Sequence, residues 1–134
     1  MIRSYQDLRV WQMAMDFAVA IYCAFPDASR ANMRGLIDQV RRSATSVPAN
    51  IAEGYGREST RSYTQYLKVA RGSLNETETH ILLAARLEFI APQTASDLLQ
   101  SAETVSKMLS GLIASVNKAS DRKTARPRHP APIA

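Results

Sequence analysis

Apolar residues recur at helical spacing along most of the chain. From Asp7 onward, Leu8, Trp11, Met15, Ala18, Tyr22 and Phe25 follow at steps of three and four, which lays them along one stripe of a helix. Pro26 and Asp27 end it. A second segment opens near Asn32 as N-cap and sets Met33, Leu36, Ile37, Val40, Ala44, Val47 and Ile51 on one face before Gly54 and Gly56 close it. Pro48 falls inside this segment and supplies no hydrogen bond to the carbonyl of Ala44. That predicts a kink rather than a break, with Ser46 or water taking up part of the freed acceptor. A third segment takes Ser59 or Thr60 as N-cap, carries Tyr63, Leu67, Ala70, Leu74, Ile81 and Ala85, and runs to about Glu88 as the longest helix. Pro92 suits the first position of a fourth, in which Ala95, Leu98, Ala102, Val105, Leu109, Leu112 and Val116 form a heptad seam.

Four amphipathic helices with short connections predict an all-α fold, an antiparallel up-down-up-down four-helix bundle over residues 5–117, with no β-strand. A length of 134 residues, 46% of them hydrophobic, suits one domain, and five Gly and six Pro are too few for a β-sandwich. Residues 118–134 have no apolar period and contain Pro127, Pro130 and Pro132, so they are read as a disordered basic tail. The single Cys23 sits in the apolar run 17–25 and reads as a small buried hydrophobe in a reducing compartment. That run is far shorter than the ~20 residues needed to span a bilayer, and Asp7 and Asp16 precede it where a signal peptide carries basic residues. A cytoplasmic protein without a membrane partner is expected.

The net charge of +5 is unevenly spread: −1 over residues 1–29, +5 over 30–71, −3 over 72–117 and +4 over 118–134, so the part before the tail carries only +1. In the basic block, Arg30, Arg34 and Arg41 flank the apolar stripe of the second helix, and Arg57, Arg61, Lys68 and Arg71 form a similar stripe on the third. Two adjacent helices would then present one positive surface to nucleic-acid phosphates; the competing reading is a solvated face with acid partners such as Asp38 and Glu58. Arg42, Gln39, Ser46, Asn50 and Glu53 gather on the non-core side of the second helix as a structural polar network, since buried polar groups are normally hydrogen-bonded. Gly72 costs a mid-helix position about 1 kcal/mol relative to Ala, which suggests a neighbouring backbone packed against it. Tyr5, Tyr55, Tyr63 and Tyr66 either stack on bases or close the edge of the core.

Enzymatic readings find no support in the spacing. His80 is the only histidine of the helical part and has no Glu three residues before it, which excludes the paired Glu-x-x-His di-iron pattern. No P-loop, dinucleotide glycine pattern or zinc-ligand spacing occurs, so neither catalytic residues nor a cofactor nor a metal is expected.

The segment Gln39-Val-Arg-Arg-Ser-Ala-Thr-Ser-Val-Pro-Ala-Asn-Ile-Ala-Glu-Gly54 with Gly56-Arg57, Asp7-Leu8 with Trp11, and Leu67 through Ala70-Arg71-Gly72-Ser73-Leu74 with Glu76 and Glu78, resemble the bacterial ribosomal RNA intervening-sequence four-helix-bundle family. The accessory variability determinant of diversity-generating retroelements is a relative of that family. The resemblance implies a homopentameric bundle without enzymatic activity that binds nucleic acid, RNA being the first candidate. A protein-interaction scaffold, for example a reverse-transcriptase accessory protein, is the alternative. Oligomerisation is also expected from apolar residues off the counted seams: Met13, Phe17, Val19, Ile21, Leu82, Leu83, Leu87, Phe89, Leu99, Met108 and Ile113.

Overall fold

The computed structural model describes residues 1–25 and 31–124. After a 3-10 turn over Tyr5–Asp7 come four helices: α1 (Arg9–Ala24), α2 (Ala31–Tyr55), α3 (Thr60–Arg86) and α4 (Pro92–Thr124). The described residues contain no strand. Each helix touches two others. α2 packs on α1 and α3, and α4 packs on α3 and α1, while α1 and α3 stand diagonally opposite, as do α2 and α4. As α2 advances from Ser43 to Ser46 to Gly54, its partners on α3 retreat from Thr77 to Ser73 to Tyr66, so the two helices run antiparallel.

Local chemistry sets the ends. Asp7 is a capping residue: its carboxylate accepts from the amides of Arg3 (2.8 Å) and Ser4 (3.2 Å). Ser59 accepts from the amide of Ser62 at 3.1 Å as the N-cap of α3. At the far end of α3, Phe89 N–H donates to the carbonyl of Ala84 (2.9 Å) and Glu88 N–H to that of Ala85 (3.0 Å), the paired bonds of a Schellman motif. Glu88 holds the left-handed position of that motif at φ 61°, where glycine is usual. α4 opens on Pro92.

The core is a single cluster drawn from all four helices, including Phe17, Ile21, Val40, Ile51, Leu67, Leu74, Ile81, Val105 and Leu109. Each such side chain contributes about 1.5–3 kcal/mol by leaving water. Two polar residues share it. Thr77 Oγ1 lies 2.8 Å from both Ser43 Oγ and the Ser73 carbonyl, and the Ser43 hydroxyl donates to Val40, so both hydroxyls are satisfied.

Several sequence expectations shift. The core stripe of α1 is Val10, Ala14, Phe17, Ala18, Ile21 and Phe25, whereas Met15 and Tyr22 are exposed at 39% and 45%. Apolar residues surround α1 on most sides, so period alone leaves its rotation open; contact with both α2 and α4 decides it. The same rotation leaves Cys23 exposed rather than buried. Phe17, Ile21 and Ile113, counted as surplus, are core residues. Asn32 lies within α2 rather than capping it, and Pro26, Asp27 and Arg30 fall outside the described residues. α4, not α3, is the longest helix, and it passes the expected boundary at 117 to reach Thr124. No proline follows Pro92 until Pro127, and Lys118 and Arg122 suit the negative end of a helix dipole, so propagation continues. Residues 125–134 lie outside the described residues.

α2 runs unbroken through Pro48. The Ser46 hydroxyl, expected near the carbonyl of Ala44, instead meets Ser73 Oγ and Asn50 Nδ2, each at 2.8 Å. Gly72 has open space where a side chain would stand. The close helix approach is made at Gly54.

Candidate nucleic-acid interface

The basic residues singled out from the sequence do not share one face. Arg41 lies on the α1 side of α2, where its Nη2 donates to the carbonyl of Phe25 (2.6 Å) and its guanidinium covers the Tyr22 ring at 4.7 Å. It ties the end of α1 to α2. Arg71, by contrast, lies on the α4 side of α3, with Nη1 3.3 Å from Ser110 Oγ. Since α1 and α4 flank the α2–α3 pair on opposite sides, the two stripes diverge.

Arg57 falls in the turn between α2 and α3 and is held there: it pairs with Glu53, donates to Tyr66 Oη at 2.7 Å and covers that ring at 4.9 Å. Arg34 is exposed on α2. Counting nine residues back from the Ser43–Thr77 contact puts it level with Arg86, some 25 residues and roughly 37 Å along α3 from Arg61.

Of the polar row on α2, Asn50 Nδ2 donates to both the carbonyl and the hydroxyl of Ser46 at 2.8 Å, and Ser46 continues to Ser73 on α3. Glu53 serves the turn through Arg57. Arg42 is exposed on the rim of a shallow groove between α2 and α3, with Gln39, Ser46, Ser73 and Glu76.

What remains is a face built from α3 and α4. Arg61 and Lys68 are exposed and seven residues apart, so they lie on one line of α3, and Arg71 follows three residues on. On α4, Lys107, Ser110, Ala114 and Lys118 recur at steps of three and four, so the two lysines share the side of Ser110, the residue that Arg71 reaches. Lys107 is paired with Glu103 at 3.3 Å, both side chains being exposed. In antiparallel register the Arg71–Ser110 contact sets residues 59–75 against residues 106–122. These two stretches carry six basic residues, Arg61, Lys68, Arg71, Lys107, Lys118 and Arg122, and one acid, Asp121.

The other half of the α3–α4 pair has the opposite sign. Residues 76–103 contain Glu76, Glu78, Glu88, Asp97 and Glu103 against a single Arg86. Within it, burial and then the nearby Glu103 raise the Glu78 carboxyl above the ordinary range. His80 Nε2 stands 3.5 Å from Glu76 Oε1. Sequence reading missed the polarity of this pair because Lys118 was assigned to the tail; the signal was present as two acid-poor runs in helices that had to pair antiparallel.

The rings are engaged elsewhere. Tyr5 meets Trp11 edge-on at 5.3 Å, Tyr55 meets Tyr63 at 6.1 Å, Tyr22 and Tyr66 lie under arginines, Phe17 and Phe25 are buried and Phe89 packs on the core. Burial, with Tyr55 beside it, raises the Tyr63 phenol above its ordinary value. That accounts for all nine Phe, Tyr and Trp residues of the chain, each of which already has an intrachain contact.

Among the described residues no group of three His, Cys, Asp or Glu is placed to hold a metal ion, and no helix is long and apolar enough to cross a membrane. The profile of the 23S rRNA-intervening sequence protein family matches residues 6–111. The chain is also similar to the crystal structure of a protein of unknown function from the S23 ribosomal protein family of Bacteroides thetaiotaomicron. The TM-score is 0.68 at 27% identity, covering 78% of this chain and 97% of that one. A search among curated proteins finds no match.

Proposed function

The chain belongs to the 23S rRNA-intervening sequence protein family, and from that premise we propose that it is a non-catalytic, cytoplasmic RNA-binding bundle whose α3–α4 face takes up phosphates. The observation that carries the reading is the basic half of that pair. Arg61, Lys68, Arg71, Lys107 and Lys118 project from two packed helices where basic residues outnumber acids, the nearby carboxylates being Glu103, in an exposed pair with Lys107, and Asp121. Arg41 and Arg57 are left out because intrachain partners hold them, and Arg34 because it stands at the opposite end.

With α4 extending to Thr124, residues 1–124 carry a net charge of only +3, and such a body binds polyanions weakly by itself. Assembly into a homo-oligomer, the pentamer that the family resemblance implies, would repeat the basic face and raise affinity by avidity. Leu82 and Leu83 on α3 and Leu87 just past its end, each about half exposed, supply apolar surface for such contacts. The same leucines favour the second reading, a protein-interaction scaffold such as a reverse-transcriptase accessory protein that does not touch nucleic acid.

Salt dependence separates the two. Three to five phosphate contacts predict that log affinity for RNA falls against log salt with a slope of about −2 to −4. Replacing Lys68 by Ala lowers that slope by about one. Absence of RNA binding at ~50 mM salt rejects the phosphate reading and favours the scaffold.

A further inference from the structure

Two features of the molecule bear on which form of nucleic acid the α3–α4 face accepts. The first is the lack of a stacking surface. Proteins that hold single strands pair a basic groove with aromatic side chains on which successive bases lie. Here every Phe, Tyr and Trp ring is buried, packed on the core, paired with another ring or covered by an arginine. The ring nearest the basic face, Tyr66, lies under the Arg57 guanidinium. The face offers Gln65, Val69 and Gly72 on α3 and Ser110, Gly111 and Ala114 on α4 between its cations, none of which can stack on a base.

The second is that the cations form two rows. Arg61, Lys68 and Arg71 lie along α3, Lys107 and Lys118 along α4, and packed helix axes are about 8–10 Å apart. Residues 61–71 cover roughly 15 Å of α3 and residues 107–118 roughly 16 Å of α4, at 1.5 Å per residue. A single strand presents one row of phosphates, whereas a duplex presents two rows across a groove. The small neutral residues between the lysines of α4 let a rigid backbone come close.

We infer that the α3–α4 face recognises double-stranded RNA through the phosphates of both strands, without reading bases. This rests on the phosphate-binding reading and narrows it. Recognition is by shape and charge, so duplexes of unrelated sequence bind alike.

The test uses the full chain and an oligopyrimidine RNA of about 20 nucleotides, alone and annealed to its complement, with fluorescence anisotropy at ~50 mM salt. The duplex is expected to bind at least roughly tenfold tighter than the strand, and a second duplex of different sequence to bind within about twofold of the first. The double variant K107A/K118A, which removes the α4 row, should lose about tenfold on the duplex while its circular dichroism stays that of the parent. A strand bound as tightly as the duplex overturns this inference and leaves the phosphate reading standing. Binding of neither overturns both. A duplex preference that K107A/K118A does not weaken overturns the two-row geometry, and a tenfold loss of duplex affinity in Y66L would reveal stacking and overturn it too.

Discussion

A methyl group at Gly54 would stand 2.8 Å from Cβ of Tyr66 and 3.2 Å from Cδ1 of Tyr63. Those atoms belong to the facing helix and one is next to its backbone, so α2 and α3 would have to move apart. We therefore expect G54A to destabilise the fold by about 1–3 kcal/mol, the cost typical of overpacking. Chemical denaturation of variant and parent measures it; an unchanged midpoint would show that the helix pair can yield.

Gly72 is the converse case. It lies in mid-α3 with nothing within 4 Å of the position a side chain would occupy. Replacing it by Ala restores helix propensity and should raise stability by about 0.4–1 kcal/mol, seen as a higher Tm. A lower Tm would mean that a second copy packs against this spot in solution.

Glu88 occupies the left-handed position of the α3 terminus at φ 61°. A Cβ there costs roughly 1 kcal/mol that glycine avoids, while the bonds from Phe89 and Glu88 to Ala84 and Ala85 are made by backbone alone. E88G should thus be stabilising by about 1 kcal/mol in urea titration, an unusual sign for a substitution to glycine.

Arg41 and Lys68 should separate folding from binding. R41A removes the donor to Phe25 and the cover on Tyr22, and should destabilise by about 1–3 kcal/mol with no change in the salt slope of RNA binding. Lys68 is exposed and makes no hydrogen bond or ion pair among the described residues, so the stability of K68A should match the parent's while the salt slope falls. Equal effects of both substitutions on the slope would place Arg41 in the interface.

Glu78 has a sign of its own. Because burial raises its folded pKa above the unfolded value, the folded state binds the proton more tightly, so this group favours folding less as pH rises through that interval. E78Q should be more stable than the parent at neutral pH, with the gap closing as pH falls below the ordinary carboxylate range. Thermal melts across roughly pH 3–7 would check it; a gap independent of pH would assign the effect to packing.

The sequence by itself determined the class and order of the elements: four helices, the N-cap at Ser59, the opening of α4 on Pro92, the passage of α2 through Pro48, and the family. These are local properties, written in periods of three and four and in capping chemistry, and periodicity carries them without a partner helix. Tertiary structure decided the rotation of α1, where Phe17 and Ile21 rather than Met15 and Tyr22 face inward, because an apolar helix takes its orientation from what it packs against. It also decided which glycine is needed for close approach and which arginines are already held. Most of all it set Arg61, Lys68 and Arg71 beside Lys107 and Lys118, residues some 40 positions apart. A surface charge pattern of that kind belongs to two helices at once and is visible only when their antiparallel register is known.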